Sequence, residues 1–157
     1  APRGPLSGAG VIGRIGDLGA IDAKYDVAVS TACGVLENVL VEDGDGGKMC
    51  INYLRKHSLG RASFLALDQV TRNLAAEMDR EVNLPRGAQR LFDLVDVAEE
   101  RLRVAFFFGL RNTLVAPDLD TAMAWAYGGD GRRGPAKWRV VTLAGELIER
   151  SGTMSGG

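Results

Sequence analysis

With 157 residues, 46% hydrophobic and 25% charged, the chain is long enough for one sizeable core or two small ones, and its composition is that of an ordinary globular domain. Its 19 basic and 20 acidic residues give a formal net charge of −1, which excludes strong indiscriminate polyanion binding and confines any nucleic-acid contact to a local patch. No apolar run reaches the length of a membrane span, and two cysteines, Cys33 and Cys50, are too few for a disulfide framework and lie in apolar stretches, pointing to a reducing compartment.

The first residues, Ala1 to Leu6, have no apolar core and do not read as a signal peptide; with Ser155-Gly156-Gly157 they are expected to bound an excised piece of a larger protein. Val11, Ile12 and Ile15 predict a short strand and a glycine-rich turn. Asp22 is placed to cap a helix to about Val35, with Tyr25, Ala28, Val29, Ala32 and Leu36 on its apolar face. Val39 to Val41 reads as a strand. After the acidic glycine turn Asp43 to Gly47, a helix is expected from Lys48 to about Ser58, with Cys50, Ile51 and Leu54 inward and Gly60 near its C-cap. Ala62 to Leu67 reads as a buried strand, and Gln69 to Arg90 as a polar connector with some helix near Val70 to Arg80.

The order of elements then restarts. Leu91 to Val97 alternates like a strand, and Ala98 to Asn112 reads as a helix apolar on all sides in its middle. Thr113 to Val115 reads as a strand, and Asp118 caps a helix to Tyr127 that Gly128-Gly129 ends. Trp138 to Leu143 and Glu146 to Arg150 read as strands joined by a tight turn at Ala144-Gly145. Adding 74 to positions 36 to 53 superposes Leu36 on Leu110, Asn38 on Asn112, Met49 on Met123 and Tyr53 on Tyr127. The fold expected is therefore mixed α/β: two pseudo-symmetric β-α-β-α-β lobes, about 10–68 and 91–157, joined by a connector, 69–90, in a single domain over 1–157.

Motifs that carry chemistry are weak. Gly8-Ala9-Gly10-Val11-Ile12-Gly13 matches G-x-G-x-x-G literally, but no strand precedes it and the residues after it are themselves strand-like, which argues against a dinucleotide site. Asp43-Gly44-Asp45-Gly46-Gly47 starts like a calcium loop, yet Leu54 stands where the bidentate Glu belongs. His57 is the single histidine, without a metal-ligand set or a nucleophile in special context. No catalytic residue, metal or cofactor is expected. Two basic clusters are candidate DNA contacts: Lys48, Arg55 and Lys56 on one helix face with Asn52, and Arg132, Arg133 and Lys137, with Arg139, around Trp138. The glycines after the last strand permit close approach of another backbone.

The stretches Val11 to Gly34 (VIGRIGDLGAIDAKYDVAVSTACG), Arg90 to Val95 (RLFDLV), Asn112 to Ala122 (NTLVAPDLDTA) and Trp138 to Gly157 (WRVVTLAGELIERSGTMSGG) resemble the hinge domain of structural maintenance of chromosomes (SMC) proteins, with wording most similar to the larger condensin SMC subunit. Loop Gly128 to Lys137 is longer and richer in glycine than the family pattern. The resemblance implies a non-enzymatic hinge set between two coiled-coil arms, the parent's ABC-type ATPase heads lying elsewhere. It implies pairing with the companion condensin SMC hinge, or with itself in isolation, each hinge offering one lobe to the partner's other lobe to close a ring. The dimer interface is expected at Glu146, Ile148, Gly152, Gly156 and Gly157, with weak auxiliary DNA contact, no small-molecule substrate, no membrane association, and a nuclear, chromosomal location with a cytoplasmic pool. The competing readings are a small nucleotide-binding α/β enzyme domain and a nucleic-acid-binding module.

Overall fold

The structure, a computed structural model, describes residues 6–128 and 135–157. It divides into two compact units, neither of them contiguous. One takes the described chain up to Gly19, Val35–Arg80 and Val97–Phe108; the other takes Ala20–Gly34, Glu81–Asp96 and the described chain from Gly109 onward. The contiguous lobes expected from the sequence differ from this division because the helical segment after the first strand of each repeat belongs to the other repeat's unit.

In the first unit β1 (Val11–Arg14) runs antiparallel to β3 (Val39–Val41), which is parallel to β4 (Phe64–Ala66), in the order β1-β3-β4. Helix α2 (Gly44–Lys56) begins four residues before the predicted Lys48 because the Asp43 carboxylate accepts the Gly46 N–H at 2.9 Å and so caps the acidic glycine turn into the helix. Ile51, expected inward, is 45% exposed. The polar connector begins with a well-formed helix, α3 (Leu67–Asp79), which buries Leu67, Val70 and Leu74 at i, i+3, i+7. In α5 (Arg103–Leu110) Val104, Ala105, Phe106 and Phe107 are buried as an apolar helix requires, but Phe108, expected inside with them, is 38% exposed, so the helix keeps one solvated side. Arg101, just before α5, makes a two-pronged ion pair with Glu42 at 2.8 and 3.1 Å.

In the second unit a five-stranded sheet has the order β10-β9-β8-β7-β5. Its strands are β5 (Gln89–Arg90), β7 (Leu114–Ala116), β8 (Val140–Thr142), β9 (Leu147–Ile148) and β10 (Met154–Ser155); β7 and β8 are parallel and the other neighbours antiparallel. Helix α6 (Leu119–Tyr127) is capped by Asp118, whose carboxylate accepts the Thr121 N–H at 2.7 Å. Helix α1 (Asp26–Ala32) also belongs here and buries Ala28, Val29 and Ala32; Asp22 caps the short 3-10 turn before it rather than the helix itself. Leu91–Val97, read as a strand, is instead a one-turn helix, α4 (Leu91–Leu94), followed by β6 (Asp96–Val97); β6 and the short β2 (Gly19–Ala20) each span a boundary where the chain passes from one unit to the other. Consecutive Leu91 and Phe92 are both buried, which a strand with one solvated face does not allow.

Both sheets contain the same three-strand arrangement, an antiparallel strand beside a parallel pair whose two members are linked by an Asp-capped helix. The register shows the true offset. Leu40 pairs with Leu65 and Val115 with Val141, and the caps are Asp43 and Asp118, so the strand and cap are 75 residues apart rather than 74. A slip of one exchanges the two faces of a strand, so the identities seen at 74 do not mark equivalent positions.

Candidate functional site

Four strands end the two larger sheets: β1 and β4 in one, β5 and β10 in the other. Two of these edges are guarded by the same device. At the end of β1, Arg14 donates from Nε and Nη2 to the Asp17 carboxylate at 3.1 and 2.8 Å, and from Nη1 to Glu37 at 2.6 Å. At the end of β5, Arg90 donates from Nε and Nη2 to Asp93 at 2.9 and 2.7 Å, and from Nη1 to Asn112 at 2.7 Å. Arg-Ile-Gly-Asp and Arg-Leu-Phe-Asp are thus one motif repeated 76 residues apart. The charged clamp at both, and at β1 the irregular register between Val11 and Gly13, blunt these edges.

Among the described residues the other two edges carry no such clamp. Beside β4 lies a groove of about 520 Å³ lined by Gly47, Lys48, Ile51, Asn52, Arg55 and Phe64 among others. Its floor is apolar and its rim is basic, and it continues past Ile51 and Arg55 toward Gly60 and Arg61. β10 bears Met154, 48% exposed, and is followed by two glycines.

The structure redistributes the expected interface residues. β9 is paired on both sides, so the open edge is β10, one strand further on. Ile148 is fully buried in the core with Leu114, Val140 and Ala126, and offers no side chain to a partner. Glu146 is tied into its own turn: the Thr142 hydroxyl donates to its carboxylate at 2.9 Å, and its N–H donates to the Thr142 Oγ1 at 3.0 Å. A Cβ on Gly156 would stand 3.1 Å from the Cγ of Glu146, so this glycine first serves its own hairpin. Gly152 and Gly157 are exposed, with φ of +101° and +118° and open space around them. Met154 was not singled out in the sequence because the turn that makes β10 a separate strand has no strong residue signal; Ile51 and Phe64 were read as an inward helix residue and a buried strand residue, whereas both line the groove.

Of the DNA-contact candidates, Lys48, Arg55, Lys56 and Lys137 are exposed, and Lys48 and Arg55 line the groove beside β4. Arg132 and Arg133 lie outside the described residues. Arg139 is committed elsewhere, to Glu149, the Ala32 carbonyl and Thr113. His57 packs against Tyr53, ring centroids 4.4 Å apart. The Gly8–Gly13 segment leads into and forms part of β1 and opens no helix, and the Ala9 carbonyl crosses Gly46 so closely that a Cβ there would collide with it. Among the described residues no group of His, Cys, Asp and Glu is placed to hold a metal, and no helix is long and apolar enough to cross a membrane.

A family model described as the SMC proteins flexible hinge domain matches residues 8–126. The mouse structural maintenance of chromosomes protein 4 is 49% identical over 148 residues, 94% of this chain and 11% of that protein; the human and Saccharomyces cerevisiae proteins of that name are 48% and 45% identical with the same share of this chain. The chain therefore spans about a tenth of the length of these relatives. The Pyrococcus furiosus SMC hinge structure superposes with a TM-score of 0.73 at 28% identity, covering 97% of this chain and 76% of that one. An asymmetric dimer of the Geobacillus stearothermophilus SMC hinge gives 0.73 at 27%, covering 94% and 59%. With the family model spanning most of the sequence and close relatives matching nearly all of it, the chain belongs to the SMC hinge family.

Proposed function

We propose that this chain is the dimerisation module of a condensin-type SMC protein, pairing with the companion condensin SMC hinge on chromosomes in the nucleus, and that it works by binding rather than by catalysis. The observation that carries the reading is the pair of unguarded sheet edges, β4 with its apolar groove and β10 with exposed Met154. An open edge offers free N–H and C=O groups to another strand. The partner we assign to each edge is the opposite kind of edge on a second hinge, so that two contacts form at once and each raises the effective concentration for the other. The likeness to proteins named structural maintenance of chromosomes protein 4, and to a hinge solved as a dimer, supports it.

The test is sedimentation of the chain alone and mixed with the companion hinge, repeated with Met154→Asp and with Ile51→Asp. Both side chains are largely exposed, so melting should change little. Each variant should weaken pairing by at least about tenfold, because a buried large apolar side chain contributes about 1.5–3 kcal/mol. A chain that pairs with no SMC hinge, or variants that pair as tightly as the parent, would overturn the assignment.

A secondary DNA contact rests on Lys48, Arg55 and Lys56, which among the described residues make no ion pair. It predicts weak binding that falls steeply with salt. Lys56→Glu should reduce it, since Lys56 does not line the groove; unchanged affinity would return this face to plain solvation.

A further inference from the structure

We propose that Arg139 is the positioning residue of the β10 edge, holding the strand where a partner must find it. The inference rests on the reading of β10 as a pairing edge and adds what sets its geometry. β10 has two residues, and every residue from Arg150 to Gly157 is exposed, so its own short ladder to β9 does little to fix it. The turn joining the strands is rooted at Glu149. The Glu149 N–H donates to the Thr153 carbonyl at 2.9 Å, and the Gly152 N–H donates to the Glu149 carbonyl at 3.0 Å. The side chain of that same residue accepts from Arg139 Nε.

The other end of the guanidinium is anchored in the body of the unit. Arg139 Nη1 donates to the Ala32 carbonyl at 2.8 Å and to the Thr113 Oγ1 at 3.0 Å. Ala32 ends α1, where a carbonyl lacks a helical partner and a cation is favoured. Thr113 is 1% exposed, and its hydroxyl donates to the Leu110 carbonyl at 2.5 Å, which leaves its oxygen free to accept from Arg139. One planar fork therefore ties the root of the exposed hairpin to the end of α1 and the start of β7. A lysine in its place gathers its three N–H donors on one nitrogen and lacks the planar fork that sets Nε on Glu149 and Nη1 on Ala32 and Thr113.

The experiment uses the full chain and the companion hinge, with Arg139→Lys, Glu149→Ala, the double variant, and Met154→Asp as the reference for the edge itself. Pairing is measured by sedimentation, and backbone hydrogen exchange is followed at residues 150–155 in the unpaired chain. Arg139→Lys and Glu149→Ala should each weaken pairing about tenfold, the effect of losing one charge-assisted hydrogen bond. Each should also speed exchange at 150–155, and the double variant should be no worse than the worse single one, because both cut the same tie. Glu149 is partly exposed, so Glu149→Ala keeps the test open if Arg139→Lys folds poorly. If Met154→Asp weakens pairing while Glu149→Ala changes neither pairing nor exchange, the positioning role is wrong and the edge reading stands. If Met154→Asp has no effect either, the edge reading itself has failed. Additive losses without faster exchange would make Arg139 a general stability residue and overturn the proposal.

Discussion

Glycine and aspartate do the most specific work at the level of single residues. Gly46 sits in the first turn of α2 beneath the Ala9 carbonyl, and any side chain there collides with backbone. Gly44, two residues earlier, has open space and an ordinary φ. We therefore expect Gly46→Ala to destabilise the chain by about 1–3 kcal/mol, the usual cost of forcing atoms into a packed site. Gly44→Ala should be neutral or stabilising by up to about 1 kcal/mol through the unfolded chain. Urea unfolding of the two variants checks the contrast, and equal effects would refute it. Asp118 supplies a pH test. The Thr121 N–H holds its carboxyl below the ordinary value of 3.8, so its contribution to stability is present above that pH and is lost as pH falls through the lower folded-state value. Asparagine still caps a helix but has no such proton. The stability difference between the parent and Asp118→Asn, read from melts across pH 7 to 2, should be largest near neutrality and close as the carboxyl protonates. Asp17, held low by hydrogen bonds from Arg14, works in the same sense.

Elements show what the sequence could and could not reveal. Strands β3 and β7, the Asp118 cap and the buried face of α1 were all legible, because apolar runs and N-cap residues are local signals; the Asp43 cap was not, since its glycines read as a turn ahead of a helix starting at Lys48. The repeat was legible too, but not its offset, since side-chain identities cannot register a strand to one residue whereas hydrogen bonds can. The Arg-x-x-Asp clamp was hidden in plain view: its two copies differ in the middle residues, and the fork closes on Glu37 in one and Asn112 in the other. β10 was not legible because two residues between glycines carry no periodicity. The two clamps also differ in burial, Arg90 being 12% exposed at its side chain and Arg14 43%. Stripping the partner from the drier guanidinium leaves the more costly orphan. Asp93→Ala should thus destabilise by about 1–2 kcal/mol, and Asp17→Ala by clearly less, as compared by chemical unfolding at neutral pH; the reverse order would show that burial does not rank these clamps.

For the whole molecule, the consequence of two non-contiguous units is that neither half of the chain contains what it needs. The chain changes unit at 19/20, 34/35, 80/81, 96/97 and 108/109. A fragment of residues 1–80 keeps the strands and α2 of the first unit but loses Val97–Phe108, which brings buried Val104, Phe106 and Phe107 and the Arg101 partner of Glu42. Residues 81–157 keep the five-stranded sheet but lose Ala20–Gly34, and with it buried Ala28, Val29 and Ala32 and the carbonyl that Arg139 grips. Each large apolar side chain left uncovered forfeits about 1.5–3 kcal/mol, so three of them approach the total stability of about 5–15 kcal/mol typical of a domain. Cutting between Arg80 and Glu81, by contrast, severs exposed backbone just past the end of α3. We therefore expect a protein nicked at that bond to stay folded, the separated halves to lack cooperative melts and dispersed amide spectra, and an equimolar mixture to regain both. Two halves that each fold alone with native-like spectra would show that the exchanged helices are ornaments on self-sufficient lobes.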